Sequence, residues 1–137
     1  MSQRYLLIIY CIINFFISFI PIVGVPFNWL ESIFHELSHA IVTLITGGEV
    51  ISFKLELSGA GMVMSRGGIS LLIAFSGYAG AAIWGFLLYQ AGSSKTIVQY
   101  TLALLIATFI AVLVFWVRDL LTAIILLIVT GLLALIF

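Results

Sequence analysis

The amino-acid sequence predicts an all-α membrane domain of about five transmembrane helices, with a short β-hairpin between the second and the third. Three observations predict it. Hydrophobic residues make up 64% of the 137 residues, charged residues only 7%, and mean hydropathy is +1.37; a soluble domain needs far more charge to cover its surface. The apolar sequence falls into runs of about 20 residues, each long enough to cross a bilayer. Residues 49–65 alone change from a helical to a strand period. This length suits a single integral-membrane domain over 1–137 rather than two domains. Net charge is zero, which provides no basic field for nucleic acid. Cys11, the single cysteine, lies in an apolar run and reads as a small lipid- or core-facing residue.

The first run, residues 5–23, is uncharged. It competes with a signal peptide, but no small-x-small cleavage site follows it, so it reads as a retained span. Pro21 and Pro26 bracket a turn, after which Asn28 is placed to cap a second helix ending at Gly47-Gly48. Within that helix Glu31, His35, Glu36 and His39 interrupt apolar sequence, where charge needs a partner or a metal. Next, Ser52, Lys54, Glu56 and Ser58 alternate with Ile51, Phe53, Leu55 and Leu57, the signature of a half-buried strand. Ser58-Gly59-Ala60-Gly61 makes the turn and Met62-Val63-Met64 the return strand. A third span covers about Gly68 to Gln90, with Gly77, Ala81 and Gly85 as a small-residue packing stripe. After a loop at 91–95, residues Thr96 to Phe137 are too long for one span, and Arg118-Asp119 marks the break between a fourth and a fifth. The chain ends at Phe137 without a polar tail, which fits either a truncated chain or a small protein ending flush with the membrane. An N-terminus in the cytoplasm puts Arg4, Lys54, Arg66, Arg118 and the hairpin on the cytoplasmic side and leaves Lys95 outside. The expected location is a bacterial inner (cell) membrane.

The chemistry is concentrated in His35-Glu36-Leu37-Ser38-His39. The HExxH spacing sets two imidazoles at i and i+4 on one helix face, where both can bind one zinc ion. Zinc lowers the pKa of a bound water to about 7, and the adjacent Glu36 can take its proton as general base. His35 and His39 are the only histidines in the chain. The competing readings are a buried polar cluster joining helices, or a bis-histidine haem site. A catalytic zinc usually takes three protein ligands. Asp119, the only aspartate, lies where two apolar spans meet and is the expected third; its alternatives are a pair with Arg118 or a helix N-cap. Glu31 stands one turn before His35 and could hydrogen-bond that imidazole from behind. Glu49 and Glu56 read as solvated hairpin residues, and Arg118 as a helix anchor rather than an oxyanion ligand.

HELSHA on a membrane helix, followed by TGGEV, a hairpin, SGYAGAAIWG and WVRDLLT, resembles the site-2 protease family in its small, minimal branch, over about residues 28 to 122. The resemblance implies zinc on His35 and His39, Glu36 as base, and a membrane-embedded protein as substrate. Better-known members take the third ligand from an Asp in an LDG sequence; here the corresponding residues are Arg118-Asp119-Leu120. The resemblance also implies that an extended substrate pairs with a strand edge, through Ile51, Phe53 and Leu55, by β-augmentation. A plain connector is the alternative role for the hairpin. The function expected is therefore zinc-dependent hydrolysis of a peptide bond in or near a substrate transmembrane helix. A non-catalytic protein that holds a partner helix is the alternative, and intact Glu36 favours the enzyme.

Overall fold

The apolar runs fold as helices. The computed structural model describes residues 3–20 and 23–136. In chain order its elements are α1 (Gln3–Ser18), α2 (Gly24–Ile45), β1 (Glu49–Leu55), β2 (Gly61–Arg66), α3 (Ser70–Ala91), α4 (Lys95–Phe115) and α5 (Leu120–Ile136). The two strands pair antiparallel, between the second and third helices as expected. Two helices, Ser70–Ala91 and Lys95–Phe115, are long and apolar enough to cross a membrane; Tyr5–Ile17 and Leu120–Ile136 are shorter apolar helices.

Helix α2 starts earlier than the sequence suggested. It begins at Gly24 rather than after an Asn28 cap, and Pro26 sits inside its first turn. Proline is tolerated there because the first N–H groups of a helix have no intrahelical acceptor to lose. The turn expected at Pro21 lies outside the described residues. At the other end, Gly47 takes a φ of 80°, and Gly48 N–H bonds back to the Thr43 carbonyl, which stops the helix where the Gly-Gly pair predicted.

The hairpin does not project from the helices; it lies along α2. The Trp29 indole donates to the Glu56 carbonyl at 3.1 Å, Ser32 Oγ bonds the Gly59 carbonyl, and Val63 N–H reaches Glu36. The physical reason is burial. Phe53 and Leu55 are 0% and 2% exposed and join Ile33 and Leu37 of α2 in the core, together with Phe109, Val112, Ile125 and Leu126 from α4 and α5. A hairpin with so apolar an inner face cannot stand alone in water. The strict alternation read from the sequence also fails at one point. A bulge between Val50 and Ser52 turns Ile51 outward and Ser52 inward, because the extra residue shifts the side-chain phase by one.

One edge of the sheet is closed by the end of α4 and the start of α5. Phe53 N–H donates to the Trp116 carbonyl at 3.0 Å, and Leu55 N–H donates to Thr122 Oγ1 at 2.9 Å. Thr122 is fully buried. The sequence reading offered the β1 edge, through Ile51, Phe53 and Leu55, to an extended substrate. In the structure the N–H groups of Phe53 and Leu55 already have acceptors and both side chains are core, while Ile51 is exposed. Thr122→Val should leave the Leu55 N–H buried without an acceptor and cost about 1–3 kcal/mol. Thermal unfolding in detergent micelles checks it; an unchanged midpoint would show that this edge is closed by something other than Thr122.

Candidate metal and catalytic site

Helix geometry puts His35 and His39 one turn apart on one face of α2, with ring centroids 4.8 Å apart. Their orientation comes from α3. The Ile73 carbonyl lies 2.6 Å from His39 Nδ1, and Ser76 Oγ, which itself donates to Ile73, lies 3.3 Å away. A carbonyl only accepts, so Nδ1 carries the proton and Nε2 presents its lone pair. His35 stacks edge-on against the Tyr78 ring at 4.8 Å. Both Nε2 atoms then point at one place. A β-carbon built on Gly77 would lie 2.6 Å from Nε2 of His39 and closer still to Nε2 of His35. Gly77 is thus the wall of the site, and any side chain there would fill the space between the two nitrogens. The small-residue stripe was read as packing alone. The structure divides it: Gly77 faces the histidines, while a β-carbon on Gly85 would meet nothing within 4 Å.

Glu36, one residue on and about 100° round the helix from His35, faces the hairpin. It is 7% exposed, and its Oε2 accepts the Val63 N–H at 2.8 Å. Gly61 lies against its side chain, close enough that a β-carbon there would come within 2.6 Å of Cγ. The HExxH helix is thus held between α3 and the hairpin, with the two imidazoles against α3 and the buried carboxylate against β2.

Asp119 stands apart from this pair. Its Oδ1 accepts the Thr122 N–H at 2.9 Å, which makes it the N-cap of α5, and its Oδ2 is buried with no partner. It shares a cavity with Lys54, Glu56 and Met62 of the hairpin. Among the described residues no group of three His, Cys, Asp or Glu side chains gathers to hold a metal. Of the three expected ligands the structure therefore brings together His35 and His39, and it gives Asp119 the capping role that was its alternative. Arg118 is an anchor, as read: its guanidinium donates to the carbonyls of Phe115 and Val117 at the end of α4. Glu31 is exposed and opens onto a cavity of about 490 Å³ shared with Asn28, Phe34 and Tyr78. The partner expected behind an imidazole is supplied instead by the Ile73 carbonyl, and to His39 rather than His35. Glu49 and Glu56 are exposed, as expected of hairpin residues.

A scan against family models matches the description Peptidase M50B-like over residues 7–137. The chain belongs to this family. The site-2 protease resemblance carried by HELSHA and its following segments is thereby confirmed. Peptidases of the M50 family are in general zinc-dependent metalloproteases, and membership together with the two long apolar helices points to a membrane protein. No curated protein and no solved structure matches the chain.

Four parts of the M50B-like site escaped the sequence reading: Gly61, the Val63 N–H, the Ile73 carbonyl and Ser76. Two are backbone groups, which no side-chain pattern announces. Gly77 and Gly61 were visible as glycines, yet only the fold says what each stands against. Asp119→Ala should remove the α5 cap and cost about 1 kcal/mol, with metal content unchanged. Thermal unfolding and elemental analysis on the same preparation check this; loss of metal in the variant would return Asp119 to the ligand set.

Proposed function

We propose that the chain is an intramembrane metallopeptidase in which His35 and His39 hold zinc and Glu36 serves as general base. The observation that carries this reading is the convergence of both Nε2 atoms on the space kept open by Gly77, with a buried carboxylate on the adjacent residue. The donor set suits the ion. Imidazole nitrogens bind zinc at about 2.0–2.1 Å, and the Ile73 carbonyl holds His39 in the tautomer that leaves Nε2 free to ligate. When bound, the metal supplies Lewis acidity to the water and to the scissile carbonyl.

The chain's own residues do the rest. Glu36 accepts a proton from the attacking water as oxygen bonds to the amide carbon, and can return it to the amide nitrogen as the C–N bond breaks. Water and amide are thus consumed and a carboxylate and an amine released. The proposed substrate is a membrane-embedded protein. Its peptide bond must lie in an extended segment, because a helix shields its amides with internal hydrogen bonds. Five spans are proposed from the apolar outer faces: Leu71 is 79% exposed, Phe75 72% and Leu135 84%. Lipid is the environment that makes such surfaces inexpensive.

A non-catalytic reading, a membrane protein that holds a partner helix, is favoured by one observation: among the described residues no third His, Cys, Asp or Glu joins His35 and His39. Metal and activity measurements separate the two. Protein purified without chelator should carry about one zinc per chain. His35→Ala, His39→Ala and Gly77→Ala should each lose most of it, and Glu36→Gln should keep zinc and lose cleavage. Equal zinc in wild type and His35→Ala would sink the site, and full cleavage by Glu36→Gln would remove the base.

The proposed orientation keeps the N-terminus in the cytoplasm. Lys54 lies on a hairpin folded along α2, so it is a weaker witness than a free loop, and Arg4, Arg66 and Arg118 against Lys95 carry the asymmetry. In a Cys11→Ser background, a cysteine at Ser94 should react with an impermeant thiol reagent added outside intact cells, and one at Ser2 should not. The reverse pattern would invert the topology.

A further inference from the structure

A general base that is only near its water is a poor one; it must be held. In this protein the hairpin does the holding. Phe53 and Val63 face each other across the two strands. Phe53 directs its N–H away from β2, to the Trp116 carbonyl. In an antiparallel pair the two opposite residues behave alike, so Val63 also directs its N–H away from the ladder. That outward N–H meets Glu36 Oε2 at 2.8 Å, a charge-assisted bond to a carboxylate that is 7% exposed. Oε1 carries no hydrogen bond among the described residues, and it is the oxygen left to accept a proton.

Gly61 completes the hold. Like Leu55 opposite it, it sits at a position whose N–H is outside the ladder. Its φ is not in the left-handed region, so its backbone does not require glycine. Its surroundings do: a β-carbon would come within 2.6 Å of Glu36 Cγ and 3.3 Å of Oε1. We infer that β2 is the positioning element of the base, with the Val63 N–H fixing Oε2 and Gly61 leaving the room in which the Glu36 side chain lies. The inference rests on the general-base reading of Glu36 and adds the residues that aim it.

The geometry gives a clean test, because both positions can be altered without touching the ladder bonds. Val63→Pro removes only the outward N–H, and proline is accepted at an edge strand where its N–H is not needed by the sheet. Val63→Ala keeps the N–H and controls for the lost side chain. Gly61→Ala keeps the N–H and displaces Glu36 instead. Casein in detergent micelles serves as the probe, since an unstructured chain needs no unwinding. Val63→Pro and Gly61→Ala should each lower kcat by roughly tenfold or more, part of the roughly 10²–10⁴-fold that a general base contributes, at unchanged KM and zinc content. Val63→Ala should lose far less of kcat than Val63→Pro, because the N–H to Glu36 is kept. Independently of activity, amide exchange at Val63 should be slow in wild type and fast in Glu36→Ala.

Wild-type kcat in both Val63→Pro and Gly61→Ala, with Glu36→Gln inactive, would overturn this inference and leave the general-base reading standing. So would a Val63 amide equally protected in wild type and Glu36→Ala. Full activity of Glu36→Gln, or no cleavage by wild type, would overturn both. If Val63→Pro fails to fold, Gly61→Ala and the exchange measurement decide.

Discussion

A two-stranded sheet has two open edges, and the arrangement of this protein follows from how each is closed. Unpaired strand N–H groups away from water are costly. The β1 edge finds the Trp116 carbonyl and Thr122 Oγ1, which fixes the α4–α5 junction against the hairpin. The β2 edge finds Glu36 Oε2, which fixes the hairpin against α2. The same bonds that satisfy the backbone therefore decide where Asp119 lies and where the Glu36 carboxylate is aimed. Closing one edge with the HExxH glutamate joins the stability of the hairpin to the placing of that carboxylate.

The two faces of α2 have different tasks. One carries His35 and His39 toward α3, where the Ile73 carbonyl and Gly77 set their orientation and spacing. The other carries Ile33, Leu37 and Glu36 toward the hairpin. Helical spacing alone separates these tasks, since residues at i and i+1 point about 100° apart. Close approach of α3 is permitted by small residues: a β-carbon on Gly80 would collide with Ser38, as one on Gly77 would with the histidines. In a helix pair of this kind the small residues are not interchangeable. Gly80 serves packing and Gly77 keeps open the space against the two imidazoles, although both belong to the same SGYAG stretch.

Much of the fold and the centre of the site could be read from residue order. The HExxH spacing gave the pairing of His35 with His39, because two residues four apart on a helix must share a face. The Gly47-Gly48 stop, the strand pair around Ser58–Gly61 and the break at Arg118-Asp119 each have local chemistry that shows in the sequence. The early start of α2 was misread, because Pro26 looks like a breaker until it is known to stand in a first turn. The phase of β1 was misread because a bulge is a property of two strands together and not of one.

The sequence by itself determined the hydrophobic character, the order of elements and the residue types at the site, because these depend on interactions within a few residues of each other. Only the tertiary structure decided which residues surround that motif. The roles of Val63, Gly61, Ile73 and Gly77 arise from backbone groups and empty space brought together from β2 and α3. Asp119 differs from these: its Oδ1 caps the first turn of its own helix through the Thr122 N–H three residues on, a local contact. The long-range contacts leave no periodicity in the chain, since the residues that meet are separated by loops whose path the local sequence does not specify.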